Sequence, residues 1–162
     1  MKNNIEEIVK YFIYLSNKEG RPVTNKKLQK LLYYAQAWYL VKKGKKLYED
    51  DIEAWVHGPT IPHIYRQYKE YGYQPITKEN IDVNSIKITS DVKDFLDTIW
   101  KLYGNYDADY LELLTHQEDP WILAREGLPS GITSKRIIDT NLMKDFYSKL
   151  LERVQNEEKK SK

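Results

Sequence analysis

The sequence contains no cysteine. That excludes disulfides, thiolate zinc sites and a cysteine nucleophile, and it suits a cytoplasmic protein. Long hydrophobic runs are missing too, since no stretch approaches the roughly 20 apolar residues that span a bilayer. The opening MKNNIEEIVKYF carries acids within its apolar pattern, and no small-residue cleavage site follows, so no signal peptide is expected. Familiar catalytic motifs are also lacking: there is no G-x-S-x-G, no phosphate-binding loop and no G-x-G-x-x-G. A run of acids at Glu49–Glu53 could in principle serve as acid and base, but beside a basic helix it reads first as a solvated face or an ion-pair partner. The residues therefore predict no catalytic site, no cofactor and no enzyme.

Only three histidines occur: His57, His63 and His116. A zinc site wants ligands at helical or hairpin spacing with carboxylate support. His57 and His63 lie six apart across a turn, and His116 is remote, so no metal site is expected. A metal-dependent hydrolase built on these three is the least favoured function class.

What is present is a chain of 162 residues with 41% hydrophobic and 31% charged residues, enough to build one real core. Apolar residues at helical spacing mark helices over most of its length, with Gly20, Gly44, Gly72, Gly104 and Gly127 as stops. The clearest runs from a cap at Thr24 or Asn25 to Gly44 and is apolar on both faces near Leu31–Leu40, which places it at the centre of the core. Ile52, Ala54 and Val56 share one parity and predict a short strand, with a second possible near Ile86–Ile88. Ser90 and Asp107 are read as further caps. The fold class is mainly α: a compact helical domain of about six helices over residues 1–154, with a minor β element. Residues 155–162 form a polar tail, read as disordered.

Three features invite a functional reading. Between Arg21 and Lys46 lie eight cations and no acid, although the net charge is only +2. Lys26, Lys27 and Lys30 stand at a helix N-terminus, where the dipole opposes cations by about 0.3–1 kcal/mol each, so an acidic partner or a nucleic acid could want them there. Eight of fourteen tyrosines fall between Tyr33 and Tyr73, a concentration that suggests a contact surface. Third is the stretch EAWVHGPTIPHIY, residues 53–65. Gly58 permits an unusual dihedral, and Pro59 or Pro62 can open the next helix, so the stretch reads as a strand-to-helix corner. Trp55 and Ile61 pack across it, with Trp55 largely buried, while Trp38 belongs to the long helix. His57, Tyr65, Tyr68 and Tyr71 cannot all face one core on a 3.6-residue helix, and the exposed ones would form a recognition surface.

The segment Thr24–Gly72, with KLQKLLYYAQ, EDDIEAW and HGPTIPHIY in order, resembles the Panacea domain of the SocA-like and GepA-like phage-associated antitoxins. The resemblance implies a mostly helical cytoplasmic antitoxin that neutralises a cognate toxin, encoded by the adjacent gene, through direct protein contact. Toxins linked to that family include alarmone-synthetase-like enzymes and small membrane-active proteins. One branch acts instead as an adaptor delivering its toxin to a ClpXP-type protease. From the residues themselves the rival is a nucleic-acid-binding transcriptional regulator. No membrane partner is expected.

Overall fold

Helix α2 (Asn25–Lys43) is apolar on both faces between Leu31 and Leu40, and a helix of that kind must be surrounded. The computed structural model, which describes residues 3–77 and 80–161, packs α1, α3, α4, α5 and α7 around it. Fourteen of its nineteen residues are buried. Thr24 caps it by accepting the Lys27 N–H, and Gly44 closes it in the left-handed region at φ 71°.

The other helices start and stop on local chemistry. Helix α1 (Ile5–Glu19) is capped by Asn4 and ended by Gly20. Helix α4 (Ser90–Tyr103) is capped by Thr89, one residue before the expected Ser90, because the Thr89 hydroxyl reaches the Val92 N–H. Asp107 caps α5 (Ala108–His116), and Pro120 sits in the first turn of α6 (Asp119–Ala124). Asp139 caps α7 (Thr140–Lys160). The tail expected to be disordered from residue 155 is instead the end of α7, exposed but helical through Lys160. No glycine or proline interrupts residues 140–160, and straight-chain Glu, Lys, Gln and Arg favour continuation. Lys162, the last residue of that tail, lies outside the described residues. So do residues 1–2 of the expected domain and 78–79 of the loop before α4. No helix among the described residues is long and apolar enough to cross a membrane.

The β element differs from the expected corner. Strands β1 (Glu53–Trp55) and β2 (Gly58–Thr60) form an antiparallel hairpin across Val56-His57, pairing Glu53 with Thr60, Ala54 with Pro59 and Trp55 with Gly58. Gly58-Pro59 therefore does not close the strand but begins its partner. Proline fits there because the Ala54 N–H points away from β2, to the Arg136 carbonyl, so the ladder asks no donor of Pro59. Pro62 opens α3 (Pro62–Tyr68), and the buried Ile61 precedes it at the cap position. The second strand-like pairing comes from Arg136–Ile138 rather than Ile86–Ile88: Ala54 N–H donates to the Arg136 carbonyl and Ile138 N–H to the Ile52 carbonyl, each at 2.8 Å.

The tyrosine cluster is mostly core. Tyr33, Tyr34, Tyr39, Tyr48 and Tyr68 are buried, and Tyr73 alone of the eight is fully open at 89% exposed. Tyr34 stacks on Tyr103 at 4.1 Å and donates to Glu118 at 2.6 Å, and Tyr147 donates to the same carboxylate oxygen at 2.9 Å. Half-buried Trp38 leans on Tyr147 and donates to the Tyr103 hydroxyl. Burial raises the Glu118 carboxyl above its ordinary range, while the two phenol donors pull it back. A native state that holds this proton more tightly than the unfolded chain loses stability as pH rises through the interval between the two values. Tyr34→Phe removes one donor and raises the carboxyl further. It should cost about 1–3 kcal/mol at neutral pH and visibly less near pH 4, read by urea unfolding at both. A deficit independent of pH would show that Glu118 does not carry the effect.

Candidate functional site

A two-stranded hairpin of three residues per strand cannot hold its own shape in water. Its two outer edges are braced by buried cations. On the β2 side, Lys30 runs from α2 beneath Gly58 and donates to the Pro59 carbonyl at 2.9 Å, and Gln29 accepts the Ile61 N–H at 2.8 Å. On the β1 side, Arg125 donates to the Ala54 carbonyl at 2.9 Å and to the Ile132 carbonyl. Its guanidinium lies over Trp121, whose indole N–H donates to the Trp55 carbonyl at 2.8 Å. The outward carbonyls of Ala54 and Pro59 are thus satisfied by side chains, and the outward Ala54 N–H by the Arg136 carbonyl.

This placement answers why lysines crowd the start of α2. Only Lys26 works near the surface, paired with Asp109 at 2.8 Å and Glu112 at 2.6 Å. Lys27 is buried and donates to the Gly104 carbonyl at the end of α4, and burial lowers its affinity for a proton. Lys30 is 1% exposed, and desolvation pushes its ammonium down to about 7. Neither Lys27 nor Lys30 can belong to a solvent-facing contact surface, because each side chain is spent on a carbonyl inside. The basic run breaks up in the folded protein.

The candidate residues separate into groups. His57 occupies the hairpin tip, with 72% of its side chain exposed and Nδ1 3.2 Å from Glu112. Burial works against the Glu112 charge, yet its bond to Lys26 holds the carboxyl below the usual range. His116 stacks flat on Trp121 at 3.9 Å, and desolvation keeps it from protonating as readily as a free imidazole. His63 lies elsewhere, against Asp50. Among the described residues no cluster of His, Asp and Glu could hold a metal ion. Tyr65 packs edge-on against Trp55 at 4.9 Å. Tyr68 is buried, so it leaves the candidate surface, and half-buried Tyr71 bonds to the Thr77 carbonyl away from the hairpin.

Trp55 is only half-buried, against the expectation that it would be largely hidden. Side chains alternate along a strand. Ala54 takes the inward position and is fully buried, so Glu53 and Trp55 face outward, with the indole donating to Glu53 at 2.9 Å. Ile137 pairs opposite Glu53, shares that outer face and is 56% exposed. Beyond the hairpin tip a cleft of about 510 Å³ opens between Trp55, Val56 and His57 on one side and Gly131 and 133–135 on the other. The sequence reading missed Ile137, Lys135 and Arg125. Ile137 stands in RII, residues 136–138, a short apolar pair whose strand pairing has no signal until Ile52–Ala54 lies beside it. The assembled surface is an aromatic pair, an isoleucine, an imidazole and a lysine on fixed backbone, a set suited to contact.

A family model described as "Antitoxin SocA-like, Panacea domain" matches residues 28–122. Antitoxin SocA of Caulobacter vibrioides (strain NA1000 / CB15N) is 30% identical over 136 residues, covering 78% of this chain and 72% of that protein. No solved structure matches. The matched span includes Lys30, the whole hairpin, Glu112 and Trp121, and it ends before Arg125 and the 131–138 segment.

Proposed function

The chain belongs to the SocA-like antitoxin family that carries the Panacea domain, and from that premise we propose that it neutralises a cognate protein toxin by direct contact through the outer face of the hairpin. The observation that carries the location is the Trp55–Tyr65 pair beside Ile137, half-open on backbone held by two buried cations. Pre-organised aromatic surface loses little entropy on binding, and interface energy concentrates on such anchors. The protein acts without catalysis, in the cytoplasm, on the product of the adjacent gene. The nucleic-acid reading is weakened because Lys27 and Lys30 of the cationic stretch are committed to internal carbonyls. Delivery of the toxin to a ClpXP-type protease would use the same first contact.

The test is expression of the neighbouring gene alone, with this chain, and with its Ile137→Asp and Trp55→Ala variants. Rescue by the natural chain, lost in both variants, is the expected outcome. Ile137 is exposed, so its change should move stability by only about 0.5 kcal/mol, whereas an anchor's truncation typically costs about 2 kcal/mol of binding. A harmless neighbour, or rescue that survives both changes, would overturn the proposal. Toxin half-life measured with the protease present and deleted separates direct inhibition, which leaves it unchanged, from delivery.

A further inference from the structure

The cleft beside the hairpin lies where the pairing between residues 52–54 and 136–138 stops. Two hydrogen bonds join Arg136–Ile138 to Ile52–Ala54 around one isolated bridge, and continued pairing would bring residues 133–135 against 55–57. The Arg125 guanidinium stands in the way. One of its nitrogens takes the Ala54 carbonyl and another takes the Ile132 carbonyl, so the two chain segments meet a planar cation rather than each other. The space left is about 510 Å³, lined by Trp55, Val56, His57, Gly131 and residues 133–135. That volume exceeds a single side chain and lies within the range of ligand sites.

Two further observations say what would fill it. The backbone groups of Thr133 and Lys135 make no hydrogen bond among the described residues, although both residues line the cleft. An extended peptide is the ligand that pairs with such an open edge. The cleft also carries an unpaired cation. Lys135 has no ion-pair partner among the described residues, and His57 must share Glu112 with Lys26. Glu53, the nearest acid on the sheet face, is engaged by the Trp55 indole.

We infer that the cleft takes a short extended segment of the protein partner in which an apolar side chain is flanked by carboxylates. The apolar side chain enters between Trp55 and the 131–135 wall, its backbone meets the open groups of Thr133 and Lys135, and a carboxylate reaches Lys135 or His57. This rests on the contact reading above, and it adds the chemistry of the segment recognised.

The inference can be tested without the toxin. The full chain, isotope-labelled, is titrated with three blocked tripeptides at millimolar concentration: acetyl-Glu-Phe-Glu-amide, acetyl-Lys-Phe-Lys-amide and acetyl-Glu-Ala-Glu-amide. Amide resonances of Val56, His57, Gly131, Thr133 and Lys135 are followed. The acidic phenylalanine peptide should shift them saturably and bind at least about fivefold more tightly than either comparison peptide. Lys135→Glu, an exposed change that leaves the fold intact, should erase or invert the preference for the acidic peptide. Equal binding of the basic peptide, equal binding of the alanine peptide, or no saturable shift from any of them would each overturn the inference. None of those results bears on whether the protein is an antitoxin, which co-expression decides separately.

Discussion

Arg125→Ala is expected to lower stability by about 3–5 kcal/mol, which for a chain of this size means a melting temperature lower by roughly 10 °C or more. The residue is 7% exposed and touches three partners: the Ala54 carbonyl, the Ile132 carbonyl and the face of Trp121. Alanine removes the donor from both carbonyls and leaves that of the buried Ala54 unsatisfied, at a cost of about 1–3 kcal/mol, to which the lost packing on Trp121 adds. Arg125→Lys keeps the charge but has no planar fork, so one ammonium cannot serve two carbonyls in divergent directions. It should recover less than half of the loss. A circular-dichroism melt of Arg125→Ala within about 2 °C of the natural protein would mean that the guanidinium does not replace ladder bonds here.

The second large effect concerns Gly58 and Lys30, which must be considered together. Gly58 sits at φ 107°, where side chains are rarely tolerated, and an added Cβ would lie 2.5 Å from Lys30 Cε and 3.0 Å from the Thr115 hydroxyl. Gly58→Ala combines backbone strain of about 1–3 kcal/mol with overpacking of similar size. Lys30 cannot simply swing aside, because its stem is fully enclosed and its nitrogen is held by Pro59. The clash part of the cost should therefore shrink in the Gly58→Ala, Lys30→Ala double variant, leaving the two changes less than additive. Full additivity in chemical denaturation would show that the lysine stem and Gly58 do not constrain each other.

Lys30 also predicts a pH dependence. Its ammonium is pushed down to about 7 by desolvation, opposed by Glu112 and reinforced by Lys26. Below that value the folded and unfolded chains both hold the proton, and the full cost of a buried charge is present. From about 7 up toward the ordinary lysine value, the unfolded chain holds a proton that the native protein has released. Stability then rises with pH, by up to about 1.4 kcal/mol per unit from this group. The neutral amine still donates to Pro59, so the hairpin brace survives the change. Lys30→Met should flatten the slope between pH 7 and 9 while keeping the stem's packing. An unchanged slope in that variant would assign the dependence to another group.

The helices and their caps were legible because each is set by residues within one turn. Thr24, Asp107 and the terminal glycines of α1 and α2 act on neighbours in sequence, and the Thr89-for-Ser90 difference is one residue between two competent caps. The central position of α2 followed from its two apolar faces. The hairpin was half legible: the strand parity of Ile52, Ala54 and Val56 was visible, but Gly58-Pro59 carries corner chemistry that overrode the weaker signal of a three-residue second strand. The tyrosines misled because a phenol is equally suited to an interface and to a core that supplies a carboxylate such as Glu118.

The sequence by itself determined the helical class, the boundaries of most helices, the central helix and the antitoxin family, since these rest on local pattern and on a contiguous motif. Only the tertiary structure decided which cations are surface and which are struts. Lys26, Lys27 and Lys30 are chemically the same residue within one helical turn and a half. Their fates diverge because each meets a different group: the Asp109 and Glu112 carboxylates, the Gly104 carbonyl, and the Pro59 carbonyl 29 positions away. The cleft was likewise invisible beforehand. It depends on Arg125 reaching Ala54 across 71 residues of chain, and no periodicity reports a hydrogen bond between segments that only folding brings together.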